Sequence, residues 1–216
     1  MQKFIPVFPL KLVVFPGQAL NLHIFEPRYR QLIKECFDTG KTFAIPPVID
    51  DRLNEYATEI RLTEISKTYD SGEMDVRTEA TQILQVLEVI QEVPNKLYSA
   101  AIVSEMPHLP LDTNELQPQL YELLMKLHAF LGTDFDPYKK FKNPLSFDLI
   151  AYCALSLPQQ CRLLEVHSEK QRQMALIQHL IQVIPTIEEA NRLREKVRMN
   201  GHFRNEKPPE NFNFKK

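Results

Sequence analysis

The triplet Gly40-Lys41-Thr42 has the ending of a phosphate-binding loop, a motif that would bring nucleotide chemistry to the chain. Such a loop also needs a glycine five positions before its last glycine and a helix after it, because backbone amides must wrap the phosphate. Position 35 is Glu35, and the triplet follows a predicted helix instead of preceding one. We therefore interpret Gly40 as the C-terminal cap of that helix.

The histidines show none of the spacings that bind metal ions. No His-Glu-x-x-His motif occurs, and no two histidines lie four residues apart. His23 is expected on the polar face of a strand, whereas His128 and His179 fall in predicted helices, where a surface histidine or one with its hydrogen bonds satisfied is far commoner than a metal ligand. The sequence predicts no metal site and no cofactor. The six positions are His23, His108, His128, His167, His179 and His202.

Nucleophilic catalysis has no recognisable motif in this chain. No Gly-x-Ser-x-Gly turn is present, and Ser66-Lys67 are adjacent residues that point to opposite faces of a strand. Cys36 and Cys153 lie on apolar helix faces and are interpreted as core residues. We predict no catalytic residues and a protein that is not an enzyme, although carboxylates assembled from distant segments stay open at this point.

The composition is that of a globular protein with three thiols. The chain has 216 residues, 44% of them hydrophobic and 25% charged, with a formal net charge of −2. The odd cysteine count without a Cys-x-x-Cys pair favours reduced thiols and a cytoplasmic location. No apolar run of about 18 residues occurs, so no membrane partner is expected. The charge balance does not favour nucleic acid either, and the oligomeric state stays open.

Prolines mark the boundaries of the predicted elements in the apolar N-terminal stretch of the chain. The pair Pro16-Gly17 predicts a type II turn after an extended piece at 11–15, and the alternation of 20–24 predicts a half-buried strand. Pro27 fits the first position of a helix that ends at Gly40. Tyr29, Leu32, Ile33, Cys36 and Phe37 follow at helical spacing.

The rest of the chain divides into β-rich and helical stretches. Short alternating strands with turns between them fill 43–106, which favours a small barrel or sandwich. Helical spacing follows the proline-rich linker, with Ser146 as a helix cap and Thr186-x-x-Glu189 as the capping box of a last helix. We predict a β-rich subdomain with one helix at 1–107, a helical subdomain at 108–201 and a mobile tail at 202–216.

A polar cluster at the start of the first helix could be a binding element. It consists of His23, Glu26, Arg28, Tyr29 and Arg30. The alternative is a helix start whose arginine stems cover the core edge while Tyr29 packs inside, since Tyr29 is in register with the apolar face.

The same stretch resembles the N-terminal, substrate-recognition domain of the Lon protease family in its stand-alone form. The resemblance implies an α+β fold, with an N-terminal PUA-like β-barrel half followed by a C-terminal helical bundle. It also implies a binding module that would lack the ATPase and Ser-Lys protease domains of full-length Lon. The matching residues are Phe8-Pro9-Leu10, Val14-Phe15-Pro16-Gly17, and Leu20-x-Leu22-His23-Ile24-Phe25-Glu26-Pro27-Arg28-Tyr29, with a second similar segment at 77–88.

The resemblance and the missing catalytic motifs predict a module that binds unfolded or extended polypeptide, with a protease or chaperone as a further partner. Apolar walls of a groove between the two halves, with an exposed strand edge, could hold such a peptide. An RNA-binding PUA-like protein is the alternative, and a small-molecule enzyme is a third reading. The chain departs from the family pattern at Ala80, at Ile83-Leu84-Gln85 and at 42–47.

Overall fold

The computed structural model describes residues 1–106, 115–142 and 144–201. Its first part is rich in strands and contains one helix, α1 (Pro27–Thr39). The strands are β1 (Gln2–Pro6), β2 (Ala19–Ile24), β3 (Phe43–Ile45), β4 (Val48–Ile49), β5 (Arg52–Leu53), β6 (Tyr56–Thr68), β7 (Met74–Ile90) and β8 (Ala100–Glu105).

The second part is helical. It comprises α2 (Gln117–Phe130), α3 (Pro137–Lys140), α4 (Ser146–Leu149) with a 3₁₀ turn (Ile150–Tyr152), α5 (Leu157–Leu164) and α6 (Glu169–Gly201). The mixed α and β content, with strands first and helices after, agrees with the predicted order. Within the described ranges, no helix combines the length and the apolar character needed to cross a membrane.

The long strand β7 organises the main sheet. It pairs with β6 along one edge, while the other edge carries β2 beside Met74–Glu79 and β8 beside Leu84–Ile90. The path β1-β8-β7-β6-β3 begins and ends at strands whose flanking residues meet through two isolated parallel bridges, Val7–Ala44 and Leu10–Pro47. Among the described residues no continuous ladder closes this path, so the sheet curves without forming the closed barrel that the resemblance implies.

Several predictions from the opening prolines are confirmed. Gly17 has φ 85°, and the Gln18 N–H donates to the Phe15 carbonyl at 3.0 Å, which closes the turn. β2 follows with the predicted alternation of burial. The extended piece at 11–15 is not a strand, because it forms no ladder with any of the described residues, and the bridge between Leu10 and Pro47 lies just before it.

Helix α1 begins at Pro27 and ends against Gly40, whose left-handed φ of 67° explains the glycine. Tyr29, Leu32, Ile33 and Cys36 are buried as predicted. Phe37 is 60% exposed, so its assignment to the buried face was wrong. It lies about 100° around the helix from Cys36, just past the apolar stripe.

Two cap predictions in the helical part were wrong. Ser146 does not cap a helix through its side chain, since its hydroxyl is buried and donates to Glu169 at 2.8 Å. Thr186 does not start a new helix, because α6 runs unbroken through Pro185 and the Thr186 hydroxyl bonds the Gln182 carbonyl. Packing of Ile184 and Ile187 against the helical core offsets the hydrogen bond that Pro185 cannot make.

The largest apolar cluster joins the two parts of the chain. Phe15 and Ile83 from the sheet-rich part are buried among side chains of α2, α4, α5 and α6. The predicted boundary at 107/108 and the predicted tail at 202–216 lie outside the described residues. The division into subdomains at that boundary therefore stays a prediction.

Candidate functional site

A cavity of about 360 Å³ lies where the sheet meets the helices, and we call it the junction groove. This volume is within the roughly 300–1,000 Å³ typical of ligand pockets. The lining is mainly apolar and includes no lysine or arginine among the described residues. The lining residues are Pro16, Gly17, Thr81, Gln82, Ile83, Met106, Leu145, Phe147, Asp148, Val166 and His167.

On its sheet side, the junction groove is lined by a short stretch of β7 that has no neighbouring strand along one edge. The Gly17 N–H donates to the Ala80 carbonyl at 2.9 Å, and the Met106 N–H donates to the Ile83 carbonyl at 3.3 Å. Only Thr81 and Gln82 lie between these two contacts. Thr81 also has no partner in the β6 ladder, which passes from Glu59–Gln82 to Ile60–Ala80 as a β-bulge. The exposed edge at the groove is therefore two residues long.

Two stacked aromatic rings lie where the sheet meets the helices, and one of them, Phe147, lines the junction groove. The Phe15 and Phe147 rings lie 5.3 Å apart at 25°. Phe147 is additionally held by its carbonyl, which accepts from the Gln18 side chain at 3.4 Å, and by the Arg172 guanidinium 4.2 Å from its ring centroid. The turn before β2 and the start of α4 are thereby joined across the groove.

The helical wall is fixed by a buried ion pair. Arg172 donates to Glu169 at 2.7 Å, to the Ser146 hydroxyl at 2.9 Å and to the Val166 carbonyl at 2.6 Å. Glu169 also accepts from the Ser146 N–H at 2.7 Å and from Gln173 at 3.0 Å. Burial opposes ionisation of Glu169, but these hydrogen bonds outweigh it and hold its pKa below the usual value.

The sheet wall has its own buried carboxylate, Glu59. Its two oxygens accept from Gln82 at 2.6 Å and from Lys3 at 2.8 Å, and it also accepts from Thr42. Burial raises the pKa of Glu59, but the hydrogen bonds from Lys3, Thr42 and Gln82 outweigh this and lower it overall. An ionised Glu59 fixes the side chain of Gln82 at the groove.

Asp148 and His167 are the titratable groups in the lining. The Asp148 carboxylate accepts from the Leu145 N–H at 2.8 Å. The His167 ring lies 6.5 Å from the ring of Tyr56. The two are not hydrogen-bonded to each other in the described structure, and no group of three or more His, Cys, Asp or Glu side chains there could hold a metal ion. This arrangement suits binding through apolar contact.

The five residues predicted as a binding element lie elsewhere, at the corner between β2 and α1. Tyr29 is buried and stacks on Phe8 at 3.8 Å, while Arg28 pairs with Glu26 at 2.6 Å. Arg30 donates to the Ser71 carbonyl at 2.7 Å. None of the five lines the junction groove.

His23 is the member of this group with a polar network. Its Nδ1 lies 2.6 Å from Asp75, whose other oxygen accepts from Tyr69 at 2.7 Å, and Glu73 lies 3.5 Å from Nε2. The hydrogen bond to Asp75 raises the pKa of His23, and the same contact lowers the pKa of Asp75. As predicted, the ring is on the exposed face of β2.

The three thiols are buried and poorly suited to nucleophilic chemistry. Burial raises the pKa of Cys36 and Cys161 to about 11 and that of Cys153 to about 12. The prediction that Cys36 and Cys153 are core residues is confirmed.

The sequence did not point to the residues of the junction groove, because they come from five separate segments of the chain. The one available signal was the Pro16-Gly17 turn, which was recognised as a turn and not as a groove wall. The departure at Ile83-Leu84-Gln85 also falls beside the groove, since Ile83 lines it.

The fold and the groove together define a mixed α/β module with an apolar cleft between its sheet and its helices. A family model described as the ATP-dependent protease La (LON) substrate-binding domain matches residues 5–182. The chain therefore belongs to the LON substrate-binding domain family.

Solved structures show the same fold. The chain is similar to the Lon N-terminal domain protein from Xanthomonas campestris, with a TM-score of 0.61 and 25% identity over 81% of this chain and 97% of that one. It is also similar to the N-terminal domain of the Lon protease from Mycobacterium avium complex, with a TM-score of 0.61 and 18% identity over 82% of this chain and 98% of that one. None of the curated protein sequences compared with this chain matches it.

Proposed function

We propose that this protein is a non-enzymatic module that binds unfolded or extended polypeptide by taking apolar side chains into the junction groove. The observation that carries the proposal is the largely apolar cavity of about 360 Å³ between the sheet and the helices. Membership of a substrate-binding domain family supports polypeptide as the ligand. A protease or chaperone would be the partner that receives the bound chain.

The proposal also assigns a role to each of the two predicted subdomains. The sheet-rich part acts as the PUA-like half, at 1–107, and the helical subdomain at 108–201 supplies the facing wall. The corner formed by His23, Glu26, Arg28 and Arg30 is a secondary contact for the bound chain. Tyr29 supports that corner from the core instead of touching a ligand, because its ring is buried against Phe8.

Side-chain insertion is the favoured binding mode over addition of a strand. β2 and β8 already occupy the edge of β7 on either side of the groove, so a peptide finds only Thr81 and Gln82 between them. Backbone pairing over two residues contributes little, whereas burying one large apolar side chain contributes roughly 1.5–3 kcal/mol. Apolar residues spaced along an unfolded chain would be the recognised feature.

Leu145→Glu tests this assignment. Leu145 lines the groove and is 42% exposed, so a carboxylate there should leave the fold intact and weaken binding of reduced, carbamidomethylated lactalbumin at least about fivefold. Leu87→Glu is the matched control, because Leu87 is 46% exposed and does not line the groove. Fluorescence anisotropy with the labelled, unfolded protein gives both affinities.

Two outcomes would contradict the proposal. One is the absence of binding at high micromolar concentration, and the other is equal loss in both variants. Binding of a single-stranded RNA whose affinity falls steeply with salt would instead support the RNA-binding alternative, because phosphate contacts release counterions.

A further inference from the structure

Two side chains that line the junction groove, Asp148 and Gln82, present hydrogen-bond acceptors. Asp148 contributes a carboxylate, one oxygen of which is engaged by the Leu145 N–H. No lysine or arginine is among the described lining residues, and no hydrogen bond or ion pair in the described structure joins Asp148 to His167. The nearest buried guanidinium, Arg172, is committed to Glu169 behind the wall at 2.7 Å.

Gln82 adds a second acceptor through the chemistry of its neighbour. The ionised Glu59 can only accept, so the Gln82 group 2.6 Å from it must be the amide nitrogen. The amide oxygen is then the atom that Gln82 can offer to a ligand, and no described residue donates to it. Glu59 thereby determines that the Gln82 side chain presents its amide oxygen, an acceptor, to the groove.

We infer that the groove selects apolar anchors that are flanked by a basic residue and disfavours those flanked by an acidic residue. This inference rests on the proposed function and names the class of polypeptide that it would favour. The apolar lining takes the anchor, and charge complementarity to Asp148 and the Gln82 oxygen selects its neighbour. An ammonium or guanidinium group donates to these acceptors, whereas a carboxylate meets repulsion from Asp148.

Three labelled glycine–serine peptides test the inference with the full chain. Each carries one Leu-Phe pair followed by lysine, by glutamine or by glutamate, and fluorescence anisotropy gives the affinities. The lysine peptide should bind about threefold more tightly than the glutamine peptide and the glutamate peptide about threefold more weakly, a size typical of exposed charge pairs. Raising the salt to about 1 M should reduce both differences.

Asp148→Asn separates the charge from the groove itself. Asparagine keeps an oxygen for the Leu145 N–H, so the variant should fold normally, and the ratio of its affinities for the lysine and glutamine peptides should fall from about threefold to near one. Asp38→Asn is the control, because it makes the same charge change on the exposed side of α1.

The outcomes distinguish the charge preference from the proposed function on which it rests. Equal affinities for all three peptides would overturn the charge preference and leave polypeptide binding in place. A preference that survives in Asp148→Asn would overturn the assignment to this carboxylate. Failure of all three peptides to bind would overturn both the preference and the proposed function.

Discussion

The sheet-rich and helical parts each place a buried carboxylate behind the junction groove, and they stabilise it in different ways. Glu169 is fully buried and pairs with Arg172, which is itself 0% exposed. Glu59 is also buried, but its cationic partner Lys3 is 30% exposed and shared with Glu105. One carboxylate has a partner sealed from water, and the other has a partner that water can reach.

The difference shows how each wall of the groove is held. Arg172 contacts Ser146, Val166 and the Phe147 ring, so the helical wall depends on one closed network. The sheet wall is held mainly by the ladders around β7, and Glu59 only orients Gln82 and ties in Lys3 and Thr42. The helical wall should therefore be the more sensitive to loss of its carboxylate.

Glu169→Ala should cause the largest loss of stability. The variant leaves a fully buried guanidinium without its counter-charge, which typically costs about 3–5 kcal/mol in the free energy of unfolding. Urea unfolding followed by circular dichroism measures this value. A loss below about 1 kcal/mol would show that Arg172 finds another partner and that the network does not hold the helical wall.

Glu59→Ala should have a smaller effect, about 1–3 kcal/mol, measured in the same way. Lys3 can turn to solvent and keep Glu105, while Thr42 and Gln82 lose a hydrogen-bond acceptor. If Glu59→Ala proved as destabilising as Glu169→Ala, the exposure of the cationic partner would not determine how much each carboxylate contributes to stability.

The sequence predicts the local elements of this fold better than its contacts. The Pro16-Gly17 turn and the Gly40 cap were predictable because each needs a backbone conformation that few residues adopt. The failed caps at Ser146 and Thr186 had the right residue types, but tertiary contacts decided their roles: Ser146 bonds Glu169, and α6 continues through Thr186.

The residues that line the groove could not be predicted, for a related reason. The sequence suggested a groove between the two halves, yet its walls come from residues as far apart as Gly17, Ile83 and Val166, whose meeting depends on the whole fold. Charged and aromatic residues at 23–30 attracted attention as a binding element, whereas the structure pairs Arg28 with Glu26 and buries Tyr29. Side-chain type alone does not distinguish a ligand contact from an internal one.

The pH dependence of stability gives the smallest effect and compares the two carboxylates directly. Both have a pKa below the usual value, because hydrogen bonds outweigh the burial that opposes ionisation. A group whose folded pKa is lowered adds stability that is present above its unfolded pKa and is lost as the pH falls through the folded pKa. Wild-type protein should therefore lose stability progressively below about pH 4.3, the ordinary value for glutamate.

In Glu59→Gln the free energy of unfolding should fall less steeply as the pH is lowered, since one titrating group is removed. A single titrating group can change the free energy of unfolding by at most about 1.4 kcal/mol for each pH unit. The slopes of the wild-type and variant curves must therefore differ by less than this value. Urea unfolding at intervals between about pH 6 and pH 3 measures both curves. A variant curve parallel to that of the wild type would mean that Glu59 titrates alike in the folded and unfolded chains. In that case the bonds from Lys3, Thr42 and Gln82 would do no more than balance the burial of the carboxylate, and the acid sensitivity would come from Glu169 and from other carboxylates with a lowered pKa, such as Asp75.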